Sequence, residues 1–170
     1  MKGLLLTIGA LAAGLSLTVG LNSALAANHS ANAGVRVAVA TSGLGRVLVD
    51  GRGRTLYLFA KDKHGKSACS RKCASFWPPL ITSGKPLATA GAKTSLLGTT
   101  RRADGRLQVT YNHHPLYTFV TDTRKGQTNG EEVDAFGAEW YALSAAGAKV
   151  EKNDTTTSSG GDPTSGGYGY

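Results

Sequence analysis

Tyr57-Leu58-Phe59-Ala60-Lys61-Asp62 and Tyr117-Thr118-Phe119-Val120-Thr121-Asp122 spell one pattern twice, Tyr-x-Phe-x-x-Asp, at an offset of 60 in a chain of 170 residues. The flanks keep step. Val47 and Val49 fall on Leu107 and Val109, and Leu56 falls on Leu116, at the same offset and without a gap. Further on, Trp77 in Trp-Pro-Pro-Leu answers Trp140 in Trp-Tyr-Ala-Leu, with the offset grown to 63. Upstream, Leu44-Gly45-Arg46 resembles Leu97-Gly98-Thr99, with a longer insert in the second copy. A chain that carries one supersecondary unit twice is expected to fold as two related copies packed on a common core.

Each copy reads as strands. Arg46 to Asp50 and Thr55 to Lys61 are β-branched or aromatic runs joined by Gly51-Arg52-Gly53-Arg54, whose glycines can take positive φ, so a hairpin is expected. In the second copy, Thr99 to Arg102 and Arg106 to Tyr111 flank Ala103-Asp104-Gly105, and Asp-Gly is a strong hairpin signal. Asn112-His113-His114-Pro115 then turns the chain into Leu116 to Thr121. Alternate residues of a strand face opposite ways. Tyr57 and Phe59 therefore share a face, as do Tyr117 and Phe119, while Leu56 and Leu58 on the other side answer Leu116 and the polar Thr118. The aromatic face is the expected core, Trp77 and Trp140 are expected to start return strands on it, and Val35, Val37 and Val39 supply a further strand. Sustained helical periodicity is missing; Ala88 to Leu97 has room for a turn or two. The fold class expected is mostly β, two related antiparallel β units sharing one aromatic core, with disordered termini.

The ends differ in character from this middle. Met1-Lys2-Gly3 is a short positive start, and the chain then runs without a charge through Asn28, with Leu4 to Leu6 and Ile8 to Val19 as its apolar body. Ala24-Leu25-Ala26 offers small residues at the positions a signal peptidase reads, so residues 1–26 are expected to be a signal peptide cut after Ala26 or Ala27. Gly9, Gly14, Ser16, Gly20, Asn22 and Ser23 interrupt the apolar stretch short of the ~20 residues a membrane span needs. No later segment is long and apolar enough, so no transmembrane segment is expected once the signal is removed. Residues 27–34 read as a flexible lead-in, 35–150 as the β domain with repeats at about 44–80 and 97–145, and 151–170 as a disordered Gly/Ser/Thr tail. The net charge of +8 is spread over the chain without interleaved aromatics. Specific nucleic-acid recognition has no motif behind it, whereas attraction to an anionic envelope polymer or a surface protein fits the charge.

The chemistry-bearing residues have bland readings beside their functional ones. In each hexapeptide the tyrosine and phenylalanine supply buried area, roughly 1.5 to 3 kcal/mol per well-buried aromatic. Asp62 and Asp122 would then end the strand by accepting backbone N–H groups in an Asx-type turn, with Gly65 and Gly126 close behind. A catalytic pair of carboxylates would have to face one cleft, which the repeat alone does not require. Cys69 and Cys73 are the only cysteines, and in an exported chain the pair reads as a disulfide stapling a local loop. A redox-active pair favoured by Arg71 and Lys72, or metal binding, are the alternatives. His113 and His114 adjoin in a turn and could serve a surface metal site with a nearby carboxylate, while His29 and His64 fall in flexible stretches. The spacings of structural zinc sites, nucleophile elbows, phosphate loops and His-Glu-x-x-His do not occur. Neither a cofactor nor an enzymatic activity is expected.

The doubled hexapeptide, with Cys69-Ser70-Arg71-Lys72-Cys73 and Trp77-Pro78-Pro79-Leu80 after its first copy, resembles a bacterial secreted-repeat family of unknown function, described as predicted lipoproteins with a Yx(FWY)xxD motif. The resemblance covers roughly residues 44 to 145. Two departures stand out: the leader has no lipid-accepting cysteine, so lipidation there is not expected, and the second repeat lacks the cysteine pair. The resemblance implies an exported β-rich repeat and no established reaction. The expected function is an exported non-catalytic envelope or extracellular module, secreted or held at the cell envelope, with an unknown ligand. The alternative is a periplasmic-type redox or metal/haem-handling accessory protein.

Overall fold

The computed structural model describes residues 34–152. The expected signal peptide and most of the expected lead-in and tail lie outside those residues. The chain order is β1 (Arg36–Ser42), β2 (Gly45–Asp50), β3 (Tyr57–Phe59), α1 (Lys72–Phe76), β4 (Ile81–Thr82), β5 (Leu87–Ala88), a 3-10 turn (Thr94–Leu96), β6 (Leu97–Arg101), β7 (Leu107–Tyr111), β8 (His114–Pro115), β9 (Val133–Ala135) and β10 (Ala138–Ala142). The protein is mostly β, as its alternating apolar pattern dictates. Helix α1 is a departure from the sequence reading: five residues are too few to display a helical period, and the turn forms where Cys73 is tied back to Cys69.

Each repeat opens with an antiparallel hairpin, β1 with β2 and β6 with β7. Val39 sits opposite Leu48, and Thr99 opposite Val109. β1 thus corresponds to β6, so Leu97-Gly98-Thr99 is the counterpart of Val37-Ala38-Val39 and not of Leu44-Gly45-Arg46. The gapless offset also conceals two compensating changes. The β6–β7 turn is one residue longer than the β1–β2 turn, and the next connection is one shorter: Leu56 N–H donates to Leu48 O at 2.9 Å, and Leu116 N–H to Val109 O at 3.0 Å. Leu48, not Val49, is therefore the counterpart of Val109. A one-residue shift in a strand exchanges its faces, and the polar Gln108, fully buried, takes the place of Val47. Between β7 and β8 the Asn112-His113 turn has both residues at positive φ, 47° and 65°, the two-residue geometry that matches strand twist.

After the hairpins the repeats cross over. β3 pairs with β10 of the other repeat, Phe59 opposite Trp140 and Tyr57 opposite Ala142. The counterpart strand around Tyr117 pairs with the segment after Trp77: Thr118 N–H donates to Pro78 O at 3.0 Å and Leu80 N–H to Leu116 O at 2.9 Å. The Trp-bearing segments then reach the opposite hairpins, where Leu48 N–H donates to Leu143 O at 2.7 Å and Val109 N–H to Leu80 O at 2.8 Å. Each repeat's tryptophan strand is thus inserted between the hexapeptide strand and the hairpin of the other.

Both faces of the hexapeptide strands are covered. On one, Tyr57, Phe59, Trp77, Tyr117 and Trp140 cluster with Val47, Val49 and the two cysteines, and Phe119 packs against them. This is the expected aromatic core shared by the repeats. On the other, Leu48, Leu56, Leu58, Leu80, Val109, Leu116 and Leu143 form a second, largely aliphatic cluster with Val37, Val39, Tyr111 and Tyr141. The sequence reading gave the core to the aromatic face alone; a strand buried on both sides loses the polar alternation that would have revealed the second cluster.

Candidate functional site

Tyr57 and Tyr117 meet at the centre of the molecule. Tyr57 N–H donates to Tyr117 O at 2.9 Å and Tyr117 N–H to Tyr57 O at 3.0 Å, so an approximate twofold axis passes between them. The side chains follow the same axis. Tyr57 Oη donates to Asp122 Oδ2 at 2.6 Å, and Tyr117 Oη to Asp62 Oδ2 at 2.8 Å. The second oxygen of each aspartate accepts a loop N–H, from Ala68 at 2.7 Å for Asp62 and from Asn129 at 3.0 Å for Asp122. These bonds close loops longer than the short Asx turn expected, and the same carboxylates latch one repeat to the other.

Burial, reinforced by Asp122, pushes the Tyr57 phenol far above its ordinary value, and burial with the Asp62 charge does the same to Tyr117. Burial also lifts Asp62 to about 6, against the opposing pull of the Ala68 N–H, the Tyr117 hydroxyl and Arg102. Asp122 is raised by burial as well. The phenols stay protonated and donate, and the carboxylate oxygens accept. Each aspartate carboxylate is engaged by the other repeat's tyrosine.

The tryptophans complete the arrangement. Phe59, Trp140, Trp77 and Phe119 form one continuous stack, with centroid separations of 4.1, 3.9 and 4.1 Å and interplanar angles of 7°, 4° and 17°. Tyr57 meets Trp77 edge-on at 5.4 Å, and Tyr117 meets Trp140 edge-on at 5.1 Å. Offset stacking and edge contacts are the favoured aromatic geometries, each worth about 0.5 to 1.5 kcal/mol beyond area burial. Gly130 abuts the stack: a Cβ there would lie 2.7 Å from Trp77 and 2.9 Å from the Tyr57 ring, so the close approach demands glycine.

Cys69 and Cys73 form a disulfide with Cα atoms 5.3 Å apart, and both are buried at the edge of the aromatic cluster. Cys73 O accepts the Trp77 N–H at 2.8 Å, which fixes where the first tryptophan enters the core. Arg102 braces the loop from the second repeat: Nη2 donates to Cys69 O at 2.7 Å, and Nη1 to Ser67 Oγ at 2.8 Å and Gln108 Oε1 at 2.6 Å. Buried sulfurs make poor partners for exchange, so the disulfide is expected to survive mild reductant and the native protein to stay silent toward thiol probes. With so short a loop, replacing both cysteines by serine is expected to cost about 2 kcal/mol in denaturant unfolding. Rapid cycling at a defined potential would reinstate a redox role.

His113 and His114 do lie near a carboxylate. They line a surface cleft of about 390 Å³ with Asp62, His64, Gly65 and Pro115. Burial and the neighbouring His113 depress the His114 imidazole. Among the described residues, no group of three or more His, Cys, Asp or Glu side chains is arranged to hold a metal ion. Three buried charged residues escaped the sequence reading: Asp50, which is paired with Arg54, together with Arg102 and Glu131. Arg102, beside Arg101 at a hairpin end, has the local signature of a surface residue, and Glu131 sits in an acidic pair with Glu132. In the fold Glu131 Oε2 accepts the Ala142 N–H at 2.7 Å, while Oε1 is buried without a partner. Burial lifts Glu131 to about 7.

Two interlocked copies of one β unit, latched by exchanged tyrosine–aspartate bonds, define a tandem-repeat protein. The chain belongs to the Lipoprotein_15 family, described as a secreted repeat of unknown function, whose model matches residues 38–81 and 98–144, more than half of the chain. The matched segments begin at corresponding points in β1 and β6, in keeping with the structural equivalence of those strands. No curated protein and no solved structure matches the chain.

Proposed function

We propose that the protein is an exported, non-catalytic envelope or extracellular module that binds an anionic envelope polymer, with residues 1–26 as its removable signal and 35–150 as the working domain. The observation that carries this reading is the use of the repeated polar residues. Tyr57, Tyr117, Asp62 and Asp122 bond one another across the repeats, which supports a rigid scaffold rather than a reaction centre. Charge supplies the partner. Lysines and arginines number 19 against 11 acids, and Lys61, Lys63 and Lys66 before the disulfide loop and Arg71 and Lys72 within it, all exposed, have no carboxylate partner among the described residues.

Long-chain polyphosphate is a suitable probe, with uncharged dextran as the control. Co-sedimentation is expected to retain the protein on the polyanion at low salt and to release it as ionic strength rises, because exposed charges are screened beyond a Debye length of about 8 Å at physiological salt. Absence of retention at low salt would refute the reading. A family described as secreted is consistent with such a location. Mass spectrometry of the exported product is expected to show a start at Ala27 or Asn28.

A further inference from the structure

The cationic surface contains one place built for a single charged group. Between the disulfide loop and the β6–β7 turn lies an open cleft of about 560 Å³, lined by Arg71, Arg102 and Arg106 with Ser67, Ser70 and Asp104. Arg102 is the informative member. Its side chain is only 5 % exposed, both terminal nitrogens are bonded to the protein, and its Nε is buried without a hydrogen-bond partner. A guanidinium N–H left unmatched in the interior is costly unless something completes it. Asp104 Oδ2 lies 3.5 Å away and is already 2.7 Å from Arg106. Arg71 lies on the opposite wall, fixed between the two cysteines at a φ of 49°, and its side chain has no partner among the described residues.

We infer that this cleft is a binding site for a phosphate-class oxyanion, presented by the anionic polymer of the proposed function, on which the inference rests. Three guanidiniums oppose one carboxylate, and a guanidinium fork matches tetrahedral oxyanions in a bidentate manner. The Ser70 hydroxyl adds a donor of the same kind, while Ser67 is already spent on Cys69 O. Asp104 marks the spot: its carboxylate, itself an oxyanion, already lies between Arg102 and Arg106, and at 42 % exposure on a turn it is placed to give way to a stronger anion. The disulfide gains a role too, since it holds the arginine of one wall in place.

Inorganic phosphate is the probe, titrated against the full protein at constant ionic strength while the amide resonances of Ser70 to Lys72 are followed. Saturable shifts are expected, with affinity weakened roughly tenfold by Arg71→Ala and by Arg106→Ala and unchanged by Arg52→Ala on another surface. Arg102→Ala removes a brace of the loop and invites misfolding, so Asp104→Asn is the more telling variant. It withdraws the competing carboxylate and is expected to tighten phosphate binding several-fold. No saturable shift, or equal affinity in all variants, would overturn the site. If the native protein retains polyphosphate but shows no saturable phosphate shift, the cleft is wrong and the wider function stands. If the native protein retains no polyphosphate at all, the wider function falls first.

Discussion

Trp140→Ala is expected to lower the unfolding free energy by at least 3 to 5 kcal/mol, the usual cost of deleting a buried large aromatic side chain. The ring lies in the middle of the stack between Phe59 and Trp77 and also receives the edge of Tyr117, so its loss leaves three rings facing a void. For a domain whose whole stability is typically 5 to 15 kcal/mol, that is a large fraction of the total. Trp140→Phe keeps a ring and is expected to cost clearly less. Trp77→Ala should behave alike, and because the indoles touch at 3.9 Å the double variant is expected to be less destabilised than the sum of the singles. Chemical denaturation followed by circular dichroism measures all four. Additive effects would show that the stack does not act as a unit.

Thermal stability is expected to fall as pH rises from about 4.5 to 7.5, the opposite of a protein held by exposed ion pairs. Glu131 shifts upward from an ordinary value of 4.5 to about 7, and Asp62 from 3.8 to about 6, both through burial. Between the ordinary and the folded values the native state holds protons that the unfolded chain has released. The stability these groups contribute is therefore complete below the ordinary values and is lost as pH climbs through the folded ones. For Glu131 a shift of this size corresponds to roughly 3 kcal/mol. His114 works against the trend: its depressed folded value means that the unfolded chain binds the proton first, so its part of the stability rises with pH up to 6.5. Glu131→Gln isolates the largest contribution. The amide still offers the Ala142 N–H an acceptor, and its melting temperature is expected to vary much less with pH than the native protein's. Parallel curves for the two proteins would disprove the assignment.

The repeat itself was legible because strand periodicity is local: Tyr57 and Phe59, like Tyr117 and Phe119, declare a shared face through alternation alone. What alternation cannot state is which strand lies alongside. Nothing in Tyr57-x-Phe59 distinguishes pairing with Trp77 of its own repeat from pairing with Trp140 of the other, and the crossed arrangement emerges only when both halves are assembled. The same limit hid the purpose of the aspartates. Read within one repeat, Asp62 looks like the end of a strand, and its bond to Tyr117 needs the second repeat to exist. The hairpin register failed for a subtler reason. Val47 and Val49 match Leu107 and Val109 in kind, so a one-residue insertion balanced by a one-residue deletion leaves no trace in the aligned letters. Glu131 and Arg102 were missed because charged residues are usually read as solvated; only the fold shows Glu131 bonded to the end of β10 and Arg102 to the disulfide loop.

The crossed strands carry a consequence for how such a chain came to exist. Cut between Thr82 and Leu97, neither fragment would have a partner for its own tyrosine strand, yet each would present what the other lacks, and the two should recover the native form by complementation. A primordial protein with a single copy could have reached the same packing only as a homodimer, two molecules exchanging tryptophan strands about a true symmetry axis. Duplication and fusion of such a gene would turn an encounter between molecules into an intramolecular event. It would also free the halves to diverge, as the disulfide of one and the buried glutamate of the other illustrate.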